Sequence, residues 1–240
     1  MKVKKYLVLI LCVLLVTTIL NGETKFNHFK VYAARGEFKQ MTVSLQDQFD
    51  RGPKKTMVTG IRYFANPVNK NGEGIPNRYA HLTWYTIKID EPVIQRVVVI
   101  ENQFGKQKWV LGRALFLLVP TEKIEPNSSF PKEFNHFKCY EVLKYEFKPC
   151  EVKLQDQFYE KPLPVVVKKP MYFCNPVSKN NEKIFNPKYH LACYYIDSPQ
   201  EPTTPRTIKI KNQFGDNKLV VQKGPLLCVP SLKLEYSVLK

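Results

Sequence analysis

The sequence contains little of what most enzymes use to bind phosphates or to activate a nucleophile. It has ten glycines in 240 residues, and it lacks the motifs G-x-x-x-x-G-K-[ST], G-x-S-x-G and H-E-x-x-H. After the first 23 residues, no window of ten or more residues shows the 3.6-residue periodicity of an amphipathic helix. These absences predict an all-β protein that is not an enzyme and that holds no cofactor.

Arginine is also scarce, although the chain is strongly basic. Only seven of the 37 cationic residues are Arg, and sequence-specific readers of nucleic acids depend on Arg for bidentate contacts. The net charge is +16, or +13 without the first three lysines, and residues 24–124 and 134–240 carry +8 and +7 of it. A nucleic-acid partner is therefore not expected. An even lysine excess fits attraction to anionic surface polymers, or to other envelope proteins.

The chain has one long hydrophobic run, from Tyr6 to Leu20, which follows Lys2, Lys4 and Lys5. A helix of this length reaches about 22 Å, which is short for a bilayer core of roughly 30 Å. The pattern is typical of a secretory signal peptide over residues 1–22. An uncleaved anchor is the alternative, and it would be the only membrane contact. The protein is expected outside the cell or in the cell envelope.

Two halves of the remaining chain repeat each other. FNHFK at 26–30 recurs at 134–138, FANPVNKN at 64–71 answers FCNPVSKN at 173–180, and LFLLVPTEKIE at 115–125 answers PLLCVPSLKLE at 225–235. This repetition predicts two domains, residues 24–124 and 134–240. The Pro- and Ser-containing stretch 125–133 is expected to link them.

Each half divides again into two units of about 53 residues. Every unit begins with a His, reaches a (D/N)-Q-F motif, and ends in x-Pro. Segments such as 41–49 and 97–104 alternate or run apolar at strand length, and 69–74 and 179–183 are turn-rich loops. Each unit is therefore predicted to hold about three strands. Two units would make a six-stranded domain with a pseudo-two-fold axis, which closes as a barrel or a sandwich.

All five cysteines beyond the signal segment lie in the second half, and the first half has an apolar residue at each matching position. Export favours two disulfides among Cys139, Cys174, Cys193 and Cys228, with Cys150 left over. Cys150 is expected to be a free, buried thiol, and an intermolecular bridge is the alternative. Three pairings are open: 139–174 with 193–228, 139–228 with 174–193, and 139–193 with 174–228. The second is preferred, because the first and last strands meet if the sheet of this half closes.

The repeat contains all four histidines of the chain, which makes a single catalytic His an unattractive interpretation. The motif acid alternates between Asp and Asn, and a general base cannot be replaced by Asn, whereas a hydrogen-bonding group can. The histidines are expected to hold strand ends by bonding the motif residue. The residues concerned are His28, His81, His136 and His190 with Asp47, Asn102, Asp156 and Asn212.

H-x-x-C occurs at His136–Cys139 and His190–Cys193, a spacing found in metal sites. Residues three apart on a strand point to opposite faces, and the first half keeps its histidines without any Cys. No metal site is expected.

The segments HFKCY (136–140), LQDQF (154–158), FCNPVSK (173–179), HLACY (190–194), NQFG (212–215) and LLCVP (226–230) together resemble a family of secreted, tandemly repeated prokaryotic β-domains of uncharacterised function. The resemblance implies location and repetition, and no catalytic residue. The first half departs from the pattern because it lacks the motif cysteines. The sequence thus favours a secreted or cell-envelope structural or interaction protein without catalytic activity. The alternative is a binding module for an anionic glycan or wall polymer.

Overall fold

A computed structural model of the chain describes residues 26–239, so the predicted signal peptide lies outside the described residues. These residues form thirteen β-strands. No helix of this part of the chain is long and apolar enough to cross a membrane. The strands are β1 His28–Arg35, β2 Met41–Gln46, β3 Lys54–Lys70, β4 His81–Lys88, β5 Arg96–Asn102, β6 Gly105–Lys123, β7 His136–Lys144, β8 Cys150–Gln155, β9 Leu163–Lys179, β10 His190–Asp197, β11 Arg206–Asn212, β12 Gly215–Val221 and β13 Leu226–Val238.

The all-β prediction is confirmed, and each unit contributes a first, a middle and a long strand. The units are β1–β3, β4–β6, β7–β9 and β10–β13, and the last unit has its long strand divided into β12 and β13. Segments 41–49 and 97–104 form β2 and β5 as expected, apart from their last residues. The loops at 69–74 and 179–183 turn through Asn71 and Gly72, and through Asn180 and Asn181, all with positive φ.

Eight strands, four from each half, form a closed antiparallel ring, so closure into a barrel occurs across the two halves and not within each half as predicted. The ring runs β1–β3–β4–β6–β7–β9–β10–β13, and each strand pairs with the next. It closes where Phe29, Lys30 and Val31 of β1 pair with Cys228, Leu227 and Leu226 of β13. Each unit therefore contributes two pieces to the ring: its first strand and the second part of its long strand.

The middle strand of each unit forms an arm with the first part of the long strand, and the arm reaches the unit opposite. β2 pairs with the end of β9 (Leu45 with Lys179), and β8 pairs with the end of β3 (Leu154 with Lys70). In the same way β5 pairs with β13, and β11 with β6. The two six-stranded sheets predicted from the sequence do not form, because both halves share one thirteen-stranded sheet.

One core cluster draws residues from all eight ring strands and fills the ring. Three further clusters lie where arm strands contribute side chains that pack against ring strands. Trp84 belongs to the first cluster and Trp109 to an outer one, and both side chains are fully buried. Burial of such large rings is a main source of stability here.

The preferred disulfide pairing was wrong. Cys139 bonds Cys174 between β7 and β9, and Cys193 bonds Cys228 between β10 and β13. The physical reason is that the second half does not close on itself. Four strands of the first half, β1, β3, β4 and β6, lie between β13 and β7, so Cys228 and Cys139 are not on neighbouring strands. All four sulfurs belong to the core inside the ring.

The same two positions in the first half are filled by apolar cross-strand pairs. Val31 faces Ala65, and Trp84 faces Leu118, in the register that the disulfides occupy in the second half. Cys150 is the free cysteine of the described chain, and it is half-buried rather than buried. Burial raises the pKa of its thiol, which makes it a weak nucleophile at neutral pH.

Candidate functional site: the motif clusters and a groove in the first half

The Asp of the D-Q-F motif accepts hydrogen bonds inside the unit opposite. Asp47 accepts from the Tyr140 hydroxyl at 2.8 Å and from Asn175 Nδ2 at 3.2 Å, and Asp156 accepts from Tyr32 at 2.7 Å and Asn66 at 3.2 Å. Each Asp also accepts from the backbone N–H two residues later. Both carboxylates are buried, and burial raises the pKa of each.

The Asn of the N-Q-F motif occupies the same place with donors and acceptors exchanged. Asn102 donates from Nδ2 to the Tyr194 hydroxyl at 2.9 Å and to Ser231 Oγ at 3.0 Å. Asn212 donates to Tyr85 at 2.8 Å and to Thr121 at 3.2 Å. The amide of the N-Q-F motif donates to hydroxyl groups. The carboxylate of the D-Q-F motif, at the same place, accepts from the amide of an asparagine. The Asp/Asn alternation is therefore matched by its partners.

The histidines contact the Gln of the motif, so the predicted bonds to Asp or Asn were wrong. Gln48 donates to His190 Nε2 at 2.6 Å, His136 Nε2 donates to Gln213 Oε1 at 2.9 Å, and Gln103 Nε2 lies 3.2 Å from His28 Nε2. His81 instead stacks on Phe64, with 5.5 Å between ring centroids. Each of these glutamines belongs to a different unit from its histidine.

All four imidazoles are buried, and burial lowers their pKa. The pKa of His81 falls to about 3, and the pKa values of His136 and His190 fall to about 4. The pKa of His28 is also lowered by burial, against the opposing effect of Glu73. At neutral pH these rings are uncharged and hold strand ends together.

Lysines complete the clusters at the ends of the long strands. Lys70 pairs with Glu73, and Lys179 pairs with Glu182 at 2.6 Å. Lys233 is different, because its Nζ lies over the rings of Phe49 and Tyr236, 4.4 and 4.6 Å from their centroids. Burial lowers the pKa of Lys233 to about 8, against the attraction of Asp47.

Two further lysines, which the sequence reasoning missed, are buried in ion pairs. Lys30 pairs with Glu201 at 2.9 Å, and Lys138 pairs with Asp50. They occupy matching positions in the two halves, one residue after FNHF in each. Their recurrence within an otherwise apolar strand was the available signal. A lysine there needs a buried partner.

The H-x-x-C spacings do not bring ligands together. Cys139 and Cys193 are both in disulfides, so neither offers a thiolate. His136 and His190 contact Gln213 and Gln48 instead. Among residues 26–239, no group of three or more His, Cys, Asp or Glu side chains could hold a metal ion.

An open groove of about 750 Å³ lies in the first half, where the arm of β2 and β3 approaches the middle of β6. The segment 89–95 between β4 and β5 forms one wall. Apolar and charged side chains both line the groove; they include Met57, Val93, Ile94, Lys55, Lys88 and Arg113. Neither a motif nor a composition shift marks this segment in the sequence.

The fold and these clusters define a class: a four-unit β-repeat protein, closed into a ring by exchanged arms and held by buried polar networks. A family model described as a repeat of unknown function (DUF7450) matches residues 81–230, and the chain belongs to that family. The prediction of an uncharacterised repeat family is confirmed to that extent. Searches of curated proteins and of solved structures found no match.

Proposed function

We propose that this protein is a secreted or cell-envelope interaction protein that performs no catalysis. The observation that carries the proposal is the use of the repeated polar residues. Three of the four histidines and all four motif acids or amides contact side chains of another unit. Residues that serve as ties between units are not free to bind and release a substrate.

Two disulfides support the proposed location, because such bonds persist in oxidising compartments. Fractionation of the producing cells tests this part. The protein is expected in the medium or the envelope fraction, with thiol labelling of the unfolded protein detecting Cys150 and no cysteine of the four bridged positions. Recovery in the cytoplasm with all six cysteines of the unprocessed chain reactive would contradict it.

A substrate panel tests the absence of catalysis. Purified protein is expected to hydrolyse ester, peptide, glycoside and phosphate substrates no faster than a heat-killed sample. Turnover that survives repurification and disappears on heating would overturn the proposal.

A second candidate function is binding of an anionic glycan or wall polymer. The net charge of +13 that remains without the three lysines of the signal segment favours it, since a lysine excess attracts polyanions. Retention on immobilised polyphosphate is expected at low salt and is expected to weaken steeply near 0.5 M salt, because screening shortens the range of surface charges. Failure to be retained at low salt would exclude this function.

A further inference from the structure

One loop differs between the two halves in its length and in its burial. In the first half, segment 89–95 joins β4 to β5; in the second half, segment 198–205 joins β10 to β11 and is one residue longer. Both contain Glu-Pro, at Glu91–Pro92 and Glu201–Pro202. The loop of the second half indicates which kind of ligand could bind in the groove of the first half.

Segment 198–205 is anchored in the molecule by Ser198 and Glu201, and its other residues are exposed. Ser198 is fully buried, a turn brings the backbone N–H of Glu201 to the carbonyl of Ser198 at 3.1 Å, and the Glu201 side chain is buried. Its Oε1 accepts hydrogen bonds from Tyr159 at 2.9 Å and from the Gly224 N–H at 3.0 Å, and it pairs with Lys30. A turn with one buried carboxylate therefore covers this space, while its three prolines stay exposed.

Segment 89–95 lies at the surface instead. Glu91 pairs with Lys54 at 2.8 Å, and both side chains are partly exposed. Val93 and Ile94 are about half exposed, at 51% and 48%. Lys138, the counterpart of Lys30, is neutralised by Asp50, which stands where the second half has Tyr159. The chain thus does not fill this groove with its own loop.

The side chains around the groove suit an acidic, apolar segment. Lys54 is paired with Glu91 and Arg113 with Glu141, whereas Lys55 and Lys88 make no ion pair with a described residue. Asp90 is the opposing charge at the same rim. Met57, Val93 and Ile94 add exposed apolar surface against which apolar side chains can pack.

We propose that the groove binds an acidic peptide segment of a partner protein, which covers it as segment 198–205 covers the corresponding space in the second half. The proposal rests on the interaction function proposed above and names the chemistry of the partner. The carboxylates of the segment pair with Lys55 and Lys88, two lysines of the groove that make no ion pair with a described residue.

The test uses a fluorescently labelled synthetic peptide with the sequence of residues 197–205, DSPQEPTTP, and the full protein at about 150 mM salt. Polarisation is expected to show saturable binding. A peptide with Gln in place of Glu201 is expected to bind about threefold more weakly, and the K55E/K88E protein about fivefold or more weakly, because each loses a charge pair.

The matched control is K168E/K169E, which makes the same charge change at two exposed lysines of β9 outside the groove. It is expected to bind the peptide as the unchanged protein does. Equal weakening by both double variants, with polyphosphate competing in every case, would mean general attraction of polyanions and would overturn the peptide proposal. No saturable binding of the peptide would overturn it as well.

A loop graft provides a second variant that does not depend on surface charge. Replacing 89–95 with 198–205, together with D50Y, rebuilds around Lys138 the arrangement seen at Lys30. This protein is expected to have a higher Tm and no peptide binding. Undiminished binding in a graft whose NMR spectrum shows a folded protein would contradict the proposal. The substrate panel is independent of the groove, so the two proposals can fail separately.

Discussion

At the scale of single residues, each motif side chain has a hydrogen-bonding character that its partners require. Asp47 receives donors from Tyr140 and Asn175, whereas Asn102 gives its amide hydrogens to Tyr194 and Ser231. Buried polar groups that lose a partner destabilise a protein by much more than the net contribution of the bond. The identity of the motif residue is therefore fixed by the opposite unit.

A substitution at Asp47 tests this matching. D47N places an amide donor against the amide of Asn175, and it is expected to lower the free energy of unfolding by about 1–3 kcal/mol. The triple variant D47N/N175V/V177S copies the side chains found at Asn102, Val229 and Ser231, and is expected to recover part of that loss. Urea denaturation measures both. A triple variant less stable than D47N would show that the partners do not determine the motif residue.

His81 provides a pH dependence with a definite sign. Its folded-state pKa of about 3 lies below the unfolded value near 6.5, so the folded chain binds its proton later. The stabilisation by the neutral ring is complete above pH 6.5 and is lost as the pH falls toward 3. Asp47 and Asp156, with raised pKa values, act in the opposite direction.

Comparison with H81F isolates the histidine from the carboxylates. Between pH 6.5 and 4.5, the unchanged protein is expected to lose about 2 kcal/mol more of its unfolding free energy than H81F loses. Chemical denaturation at each pH measures the difference. A constant difference across this range would mean that His81 is not held neutral by burial.

At the scale of strands, the disulfides of the second half occupy the same cross-strand positions as the apolar pairs of the first half. Cys139 and Cys174 face each other as Val31 and Ala65 do. C139V/C174A therefore keeps apolar contact while removing the covalent link, which is expected to lower stability by about 2–4 kcal/mol. Thermal unfolding with and without reductant measures this. Equal stability of the variant and the oxidised protein would show that packing alone suffices.

The strands themselves were largely predictable, because each is a local pattern. Alternation in 41–49 and 97–104 indicated β2 and β5, and the apolar replacements for the cysteines indicated core positions. The partners of these strands were not predictable. Pairing of Leu45 with Lys179 joins residues more than a hundred positions apart, and no local pattern specifies such a contact.

The same distinction applies to the site: its residues could be predicted from the sequence, and their bonding partners could not. The motif residues were found by repetition, yet their bonds run between units, so His190 was assigned to Asp or Asn when it contacts Gln48. The groove could not be predicted from the sequence, because it depends on a loop that is one residue shorter and on Asp50 in place of Tyr. The effect of such differences depends on the three-dimensional surroundings of the loop, which the sequence alone does not specify.

At the scale of the whole molecule, neither half is complete. β1 needs β13 to close the ring, and β2 and β8 pair with strands of the other half. Fragments 26–124 and 134–240 are each expected to be unfolded alone by circular dichroism and NMR. The full chain is expected to unfold in one cooperative transition. A separately folded fragment, or two resolved transitions, would contradict this view.

The exchange of arms between opposite units is reciprocal, and this bears on how such a chain could arise. Two copies of a half-length ancestor could have supplied each other's missing strands, as subunits of a symmetric dimer do. Assembly of that dimer would depend on its concentration. Fusion of the two copies by residues 125–133 makes the partner permanent. Each half is then free to diverge, as the cysteines and the open groove show that the halves have done.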